Sequence, residues 1–155
     1  EVTLEEEIRL VDNYIYILNV RFSGEIHFEK KVDESLLGVH IPSMLLQPIV
    51  ENSVNYGIRN IDWEGRIVLS VYREEEKVCI SIKDNGVGMT EERIAQVMQN
   101  CISHQEDTGD SNGVGLNNVM ERLHLFFDGA EEFVMMSEGP GRGTEVVIRI
   151  PYLKM

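Results

Sequence analysis

Cysteine is nearly absent from this sequence. Cys79 and Cys101 stand far apart, with no Cys-x-x-Cys spacing and no neighbouring His cluster, which excludes a disulfide framework and a structural zinc site and points to a reducing compartment. Long apolar runs are missing too: none approaches the ~20 residues that cross a bilayer, so a membrane span within the chain is excluded. Positive charge is scarce, with 14 Lys and Arg against 27 Asp and Glu, a net charge of −13. Such a surface repels a phosphate backbone, so nucleic acid is not an expected partner. Glu1 to Arg9 is acidic and lacks the basic region, apolar stretch and cleavage site of a secretory signal, so the chain reads as a domain of something longer. What remains is ordinary for one compact domain: 155 residues, 43% hydrophobic and 26% charged.

Hydrophobic spacing outlines the elements. Leu4, Ile8, Val11, Ile15 and Leu18 predict a helix from about Thr3 to Val20, opened by a Thr3/Glu6 capping box. A second stripe of Leu10, Tyr14 and Ile17 suggests a further packing partner. Ile26, Phe28 and Val32 alternate as a strand. Leu46, Ile49, Val50, Ser53 and Val54 form a helical face over Ser43 to Gly57, with Gly57 as a C-cap and Pro48 costing a backbone hydrogen bond unless it falls in the first turn or the helix tolerates a kink. Ile67 to Val71 and Val78 to Ile82 read as a hairpin around Glu74 to Lys77. Thr90 caps a short helix. Asn100 to Asn112 loses periodicity and reads as a surface loop, Leu116 to Phe127 as a helix, and Phe133 to Ser137 and Thr144 to Ile150 as strands. These elements predict a two-layer α/β sandwich, a sheet with helices on one face.

Three glycine-bearing stretches could carry chemistry: Asp84-Asn85-Gly86-Val87-Gly88-Met89, Asn112-Gly113-Val114-Gly115-Leu116, and Gly139 to Gly143 before Thr144. Glycine lets backbone approach a ligand closely, and a glycine pair opening a helix offers free N–H groups to an anion. Each stretch taken singly also fits an ordinary turn. A P-loop is excluded by the lack of GxxxxGK[ST], and a Rossmann crevice by the lack of a third glycine in strand-turn-helix context. Asp84, ending a strand, can accept a hydrogen bond from an exocyclic amine such as adenine's, or it can cap its own turn. Asn52, Asn55 and Tyr56 share a helical face beside Glu51, either an oxygen-rich site for Mg²⁺ or a solvated face.

Taken together and in this order, these stretches resemble the ATP-binding domain of histidine kinases, within the gyrase, Hsp90, histidine kinase and MutL superfamily. The likeness is to LytS-like sensor kinases, carried by Ile41-Pro42-Ser43-Met44-Leu45-Leu46-Gln47-Pro48-Ile49-Val50-Glu51-Asn52, by Asp84 to Met89, by Gly113 to Leu123 and by Gly141-Arg142-Gly143-Thr144. The resemblance implies a Bergerat-type fold with a mixed, mostly antiparallel sheet. It implies ATP and Mg²⁺ as cofactors, with Asn52 and nearby Glu51 as catalytic and metal-binding residues. Asn55 and Tyr56 then face the nucleotide, Asp84 binds the adenine amino group, and Gly86, Gly88 and Met89 shape its pocket. Asn112, Gly113, Val114, Gly115 and Leu116 meet the phosphates below a lid at 100–112, and Thr144 supports Asp84.

Two departures from the family pattern stand out. Asn55 occupies a position where relatives commonly carry Lys or Arg, and Tyr56 one where His is frequent. Pro48, four residues before Asn52, stands where hydrolytic branches carry a glutamate base, which favours transfer to a protein acceptor. None of His27, His40, His104 and His124 sits in an acceptor motif, so the phosphoacceptor is expected on upstream helices. The expectation is a catalytic domain at 23–155 with a linking helix at 1–22, transferring the ATP γ-phosphate to a histidine of a separate helical domain. A response regulator is expected downstream, in a homodimeric, membrane-anchored bacterial sensor with this domain in the cytoplasm. The alternatives are an ATP-sensing module without transfer and an anti-sigma-factor-like serine kinase.

Overall fold

The structure is a computed structural model that describes residues 1–21, 26–59, 61–103 and 112–152, with backbone alone at 100–103 and 112–114. Its elements run β1 (Val2–Thr3), α1 (Leu4–Arg21), β2 (Ile26–Val32), β3 (His40–Ile41), α2 (Leu46–Asn52), β4 (Gly65–Glu74), β5 (Lys77–Asp84), α3 (Glu91–Ser103), α4 (Asn112–Phe127), β6 (Glu132–Met136) and β7 (Thr144–Pro151). The two expected helix starts carry their caps. Thr3 and Glu6 exchange backbone-to-side-chain bonds of 3.3 Å each, and Arg93 donates its N–H to the Thr90 hydroxyl at 3.1 Å.

Five strands form one sheet in the order β2-β4-β5-β7-β6, with β2 parallel to β4 and every other pair antiparallel. Residues two apart share a face. Ile67, Leu69 and Val71 on β4, Ile80 and Ile82 on β5, and Ile148 and Ile150 on β7 are buried in one layer with Leu4, Val11, Leu46, Ile49, Val119 and Leu123 of the helices. The opposite face carries exposed Tyr72, Lys83, Val134 and Met136. The two-layer α/β reading therefore holds. Truncating the central strand tests the layer: Ile80→Ala removes a fully buried side chain and should cost about 2–5 kcal/mol in urea unfolding.

Differences from the sequence reading are local. The pairing of β1 with β3, Val2 to Ile41 and Thr3 to His40, went unread because two residues show no alternation. Pro48 falls in the first turn of α2, where its missing N–H costs nothing. Beyond Asn52 the helix does not end at a Gly57 cap but widens into a π-helical stretch, Ser53–Ile58. α3 runs on to Ser103, past the expected loop start at Asn100, and residues 104–111 of the expected lid lie outside the described residues.

Candidate functional site

Antiparallel register places Asp84, the last residue of β5, opposite Thr144, the first of β7. The Asp84 side chain is only 4% exposed. Its Oδ1 accepts the N–H of Gly86 at 2.9 Å and of Thr144 at 3.3 Å, and the Ser53 hydroxyl donates to the same carboxylate. Burial pushes the Asp84 pKa above the usual carboxylate range, and these three hydrogen bonds pull against it.

The π-helical stretch and the loop after β5 interlock through missing side chains. A Cβ on Gly57 would lie 3.0 Å from Asp84 Oδ1, and a Cβ on Gly86 would lie 2.2 Å from the Gly57 carbonyl oxygen. That carbonyl instead accepts the N–H of Val87 at 2.9 Å. On the far side, the Gly139–Gly143 turn closes on the same loop: Gly141 donates to Val87 at 2.6 Å and Gly143 to Gly86 at 3.1 Å. Asn85 ties the loop to the start of β4, accepting from the Arg66 N–H at 2.7 Å and donating to the Glu64 carbonyl at 2.8 Å. The Asp84 carboxylate is thus held by three hydrogen bonds, and the loop that follows it by contacts on three sides.

Above it lies a cleft of about 370 Å³, within the usual size of small-molecule sites. Asn52, Ser53, Tyr56 and Gly57 form one wall, Asp84, Val87, Gly88 and Met89 the floor, and Thr90 with Arg93 and Val97 of α3 the other wall. Met135, Thr144 and Val146 close the sheet end. Apolar side chains around one buried carboxylate suit a flat heterocycle with an amino group, and Asn52 lines the same cleft.

Six of the predicted positions meet here: Asn52, Tyr56, Asp84, Gly88, Met89 and Thr144 line the cleft, with Gly86 packed behind. Others stand elsewhere. Asn55 is exposed and absent from the lining, because the wider i→i+5 turn of the π-helical stretch keeps Tyr56 and Gly57 in the cleft and swings Asn55 away. Glu51 also lies off the cleft. It precedes Asn52 by about 100° of helix rotation, accepts from Gln47 at 3.1 Å, and its charge adds to burial in raising the pKa of Tyr14 on α1. Leu116 is 1% exposed and packs in the core. A Cβ on Gly115 would meet open space, and the side chains of Asn112, Gly113 and Val114 lie outside the described residues. Sequence reasoning missed Ser53, Gly57, Arg93, Val97, Met135 and Val146 as lining residues. Only Ser53 left a signal, as the one hydroxyl on an otherwise apolar helix face.

A family model described as histidine kinase-, DNA gyrase B- and HSP90-like ATPase matches residues 42–154. Sensor histidine kinase YesM of Bacillus subtilis is 33% identical over 97% of this chain and 24% of its own length. Sensor protein LytS of Oceanobacillus iheyensis is 29% identical over 97% of this chain and 25% of its own. This chain therefore spans about a quarter of the length of these curated relatives. Among solved structures, a catalytic domain of histidine kinase ThkA covers 96% of this chain and 91% of that one, with TM-score 0.65 at 18% identity, and mycobacterial sensor histidine kinase MprB covers 96% and 95% with TM-score 0.60 at 20% identity. Those two likenesses establish the fold. With the family model spanning most of the sequence and sensor kinases matching almost all of it, the chain belongs to the histidine kinase-, DNA gyrase B- and HSP90-like ATPase family, in the form found in sensor histidine kinases.

Proposed function

We propose that this domain binds ATP with Mg²⁺ in the cleft and presents the γ-phosphate to a histidine on separate helices of the same protein, as the catalytic domain of a two-component sensor kinase. The observation that carries the reading is the Asp84 carboxylate, buried at the cleft floor among apolar side chains and already fixed by Gly86, Ser53 and Thr144. Ionised, it accepts the adenine amino group. Gly88 and Met89 bound the base, and Tyr56 stands at the mouth, 42% exposed. Arg93 brings a positive charge to the cleft of an otherwise acidic chain.

The donor set fits Mg²⁺. Asn52 offers one neutral oxygen, and among the described residues no group of three or more His, Cys, Asp or Glu could hold a metal by itself. A hard cation that takes few protein ligands and fills its octahedron with water and phosphate suits such a site. When bound, the ion neutralises charge developing on the β- and γ-phosphate oxygens. The chain's own residues orient the nucleotide by its base, and the backbone N–H groups of Asn112 to Gly115, which open α4, are the phosphate contacts of this reading.

Transfer is read as in-line attack by an imidazole nitrogen on the γ-phosphorus, with ADP as leaving group. Pro48 supports transfer over hydrolysis, because the first turn of α2 has no carboxylate at that position to activate water. The partners of this reading are ATP, the acceptor helices, which α1 (within 1–22) joins to the domain at 23–155, and a response regulator. A membrane-anchored homodimer is the proposed setting, and among the described residues no helix is long and apolar enough to cross a membrane.

Calorimetric titration with ATP, with and without Mg²⁺, tests the site. Saturable, adenine-selective binding is expected, weakened at least about tenfold by chelating the metal, while adenosine affinity stays unchanged. ATP affinity indifferent to chelation would remove the metal from the reading. For transfer, incubating the full-length protein with γ-labelled ATP should give an acid-labile label; an acid-stable one would point to a serine acceptor instead.

A further inference from the structure

Glu7 of α1 is 2% exposed, yet no part of the nucleotide reading uses it. Its carboxylate faces the turn that opens α2: Oε1 accepts the N–H of Leu45 at 2.7 Å and of Leu46 at 3.0 Å, and Oε2 accepts that of Met44 at 3.2 Å. The N-cap position of α2 is Leu45, which has no side chain to do this. Glu7 therefore supplies in trans the cap that the local sequence lacks, and places a negative group at a helix N-terminus.

The carbonyl side of the same turn is held from the other direction. Arg122 of α4 donates from Nη1 to the carbonyls of Ser43 at 3.4 Å and Met44 at 3.3 Å. Between the two grips, Met44 sits at φ 59°, a left-handed conformation that a non-glycine residue keeps only where its surroundings hold it. α2 itself is seven residues long, too short to stand by its own propensity. Asn52 follows Leu46 by six residues, about 9 Å along the axis, and the cleft-lining Ser53, Tyr56 and Gly57 continue the same rod.

We infer that Glu7 and Arg122 are positioning residues: together they clamp the 43–46 turn, set the α2 rod so that Asn52 and Tyr56 face the cleft, and make α1 a lever on the nucleotide site. Neither touches the cleft. Asp84 takes two of its three hydrogen bonds from outside the rod, from Gly86 and Thr144, and only the Ser53 hydroxyl reaches it from the rod, so the clamp governs the metal and phosphate end of the site far more than the adenine end. The nucleotide half of this inference rests on the proposed function; the mechanical half does not.

Glu7→Gln and Arg122→Met test it, with Ile150→Val on β7 as a core variant that removes no contact to the turn's backbone groups. Arg122 is exposed, so its variant folds even if the amide that Glu7→Gln buries does not tolerate three N–H donors. Without ligand, amide exchange across Leu46–Ile58 should quicken about tenfold in both variants while β5 amides stay within about twofold, and Ile150→Val should show no such bias. With ligand, the gain in ATP affinity conferred by Mg²⁺ should shrink about tenfold while adenosine affinity changes less than about twofold. Uniform or absent exchange changes, or parallel weakening of adenosine and Mg·ATP, would overturn the clamp. If the unsubstituted domain binds neither ligand, the proposed function fails and the exchange pattern alone decides the clamp.

Discussion

Asp84→Asn should weaken adenine recognition sharply and leave the domain as stable as before, or more stable. The two effects have opposite signs because the group is costly to the empty fold and useful only to the complex. Burial raises the folded pKa of Asp84 above its unfolded value. A group shifted that way contributes stability that is fully present below the unfolded pKa and is lost as pH rises through the folded one. At neutral pH the ionised carboxylate is therefore a liability. An Asn oxygen can still accept from Gly86 and Thr144, so the loop keeps its bonds while the buried charge disappears.

Binding moves the other way. A charge-assisted hydrogen bond to the adenine amino group is worth about 1.5–3 kcal/mol, and Asn presents an amide N–H₂ that can clash with that donor. A loss of about 10–150-fold in ATP affinity follows from that range. Affinity of the unsubstituted domain should also fall as pH drops through the raised Asp84 pKa, earlier than for an ordinary aspartate, and the variant should lack that limb. Calorimetry across pH, paired with urea unfolding of both proteins, reads all of this. A variant that binds ATP normally, or that loses stability along with affinity, would contradict the assignment.

Much of this was legible in the sequence because it depends on periodicity and on glycine. The face of Leu46, Ile49 and Val50 on α2, continued by Ser53 and Val54 of the π-helical stretch, is buried as its spacing requires, and the β4–β5 hairpin turns at Glu75 and Glu76 as its charges suggest. Asp84 lines the cleft, as a carboxylate ending a strand before a glycine turn can, and it also accepts the Gly86 N–H as the turn-capping alternative has it. What was not legible depends on tertiary contact. Nothing local marks the switch to a π-helical turn after Asn52, so ideal α-helical spacing assigned Asn55 to the cleft. Leu116 follows two glycines and read as part of the phosphate loop, but its side chain answers to the core. Glu7 sat in an acidic run at the start of α1 and looked like its neighbours Glu5 and Glu6; only the fold brings it against a turn 37 to 39 residues away.

The second large effect separates the two glycines at the interlock. Gly86→Ala places a methyl group 2.2 Å from the Gly57 carbonyl oxygen and 2.3 Å from its carbon. Both obstacles are backbone, and the Gly57 carbonyl is engaged by Val87, so relief requires prising the loop after β5 from the π-helical stretch. Overpacking of that kind costs about 1–3 kcal/mol or more, and it also breaks the seat of Asp84. Gly57→Ala meets something softer: the Asp84 carboxylate itself, 3.0 Å away at Oδ1. A side chain can rotate where a backbone cannot. Gly57→Ala should therefore leave urea stability within about 1 kcal/mol while displacing the carboxylate and weakening ATP at least about tenfold, whereas Gly86→Ala should lower both. Equal stability losses in the two variants would mean that Asp84 is held too rigidly to yield, and the cleft floor would then be stiffer than its hydrogen bonds indicate.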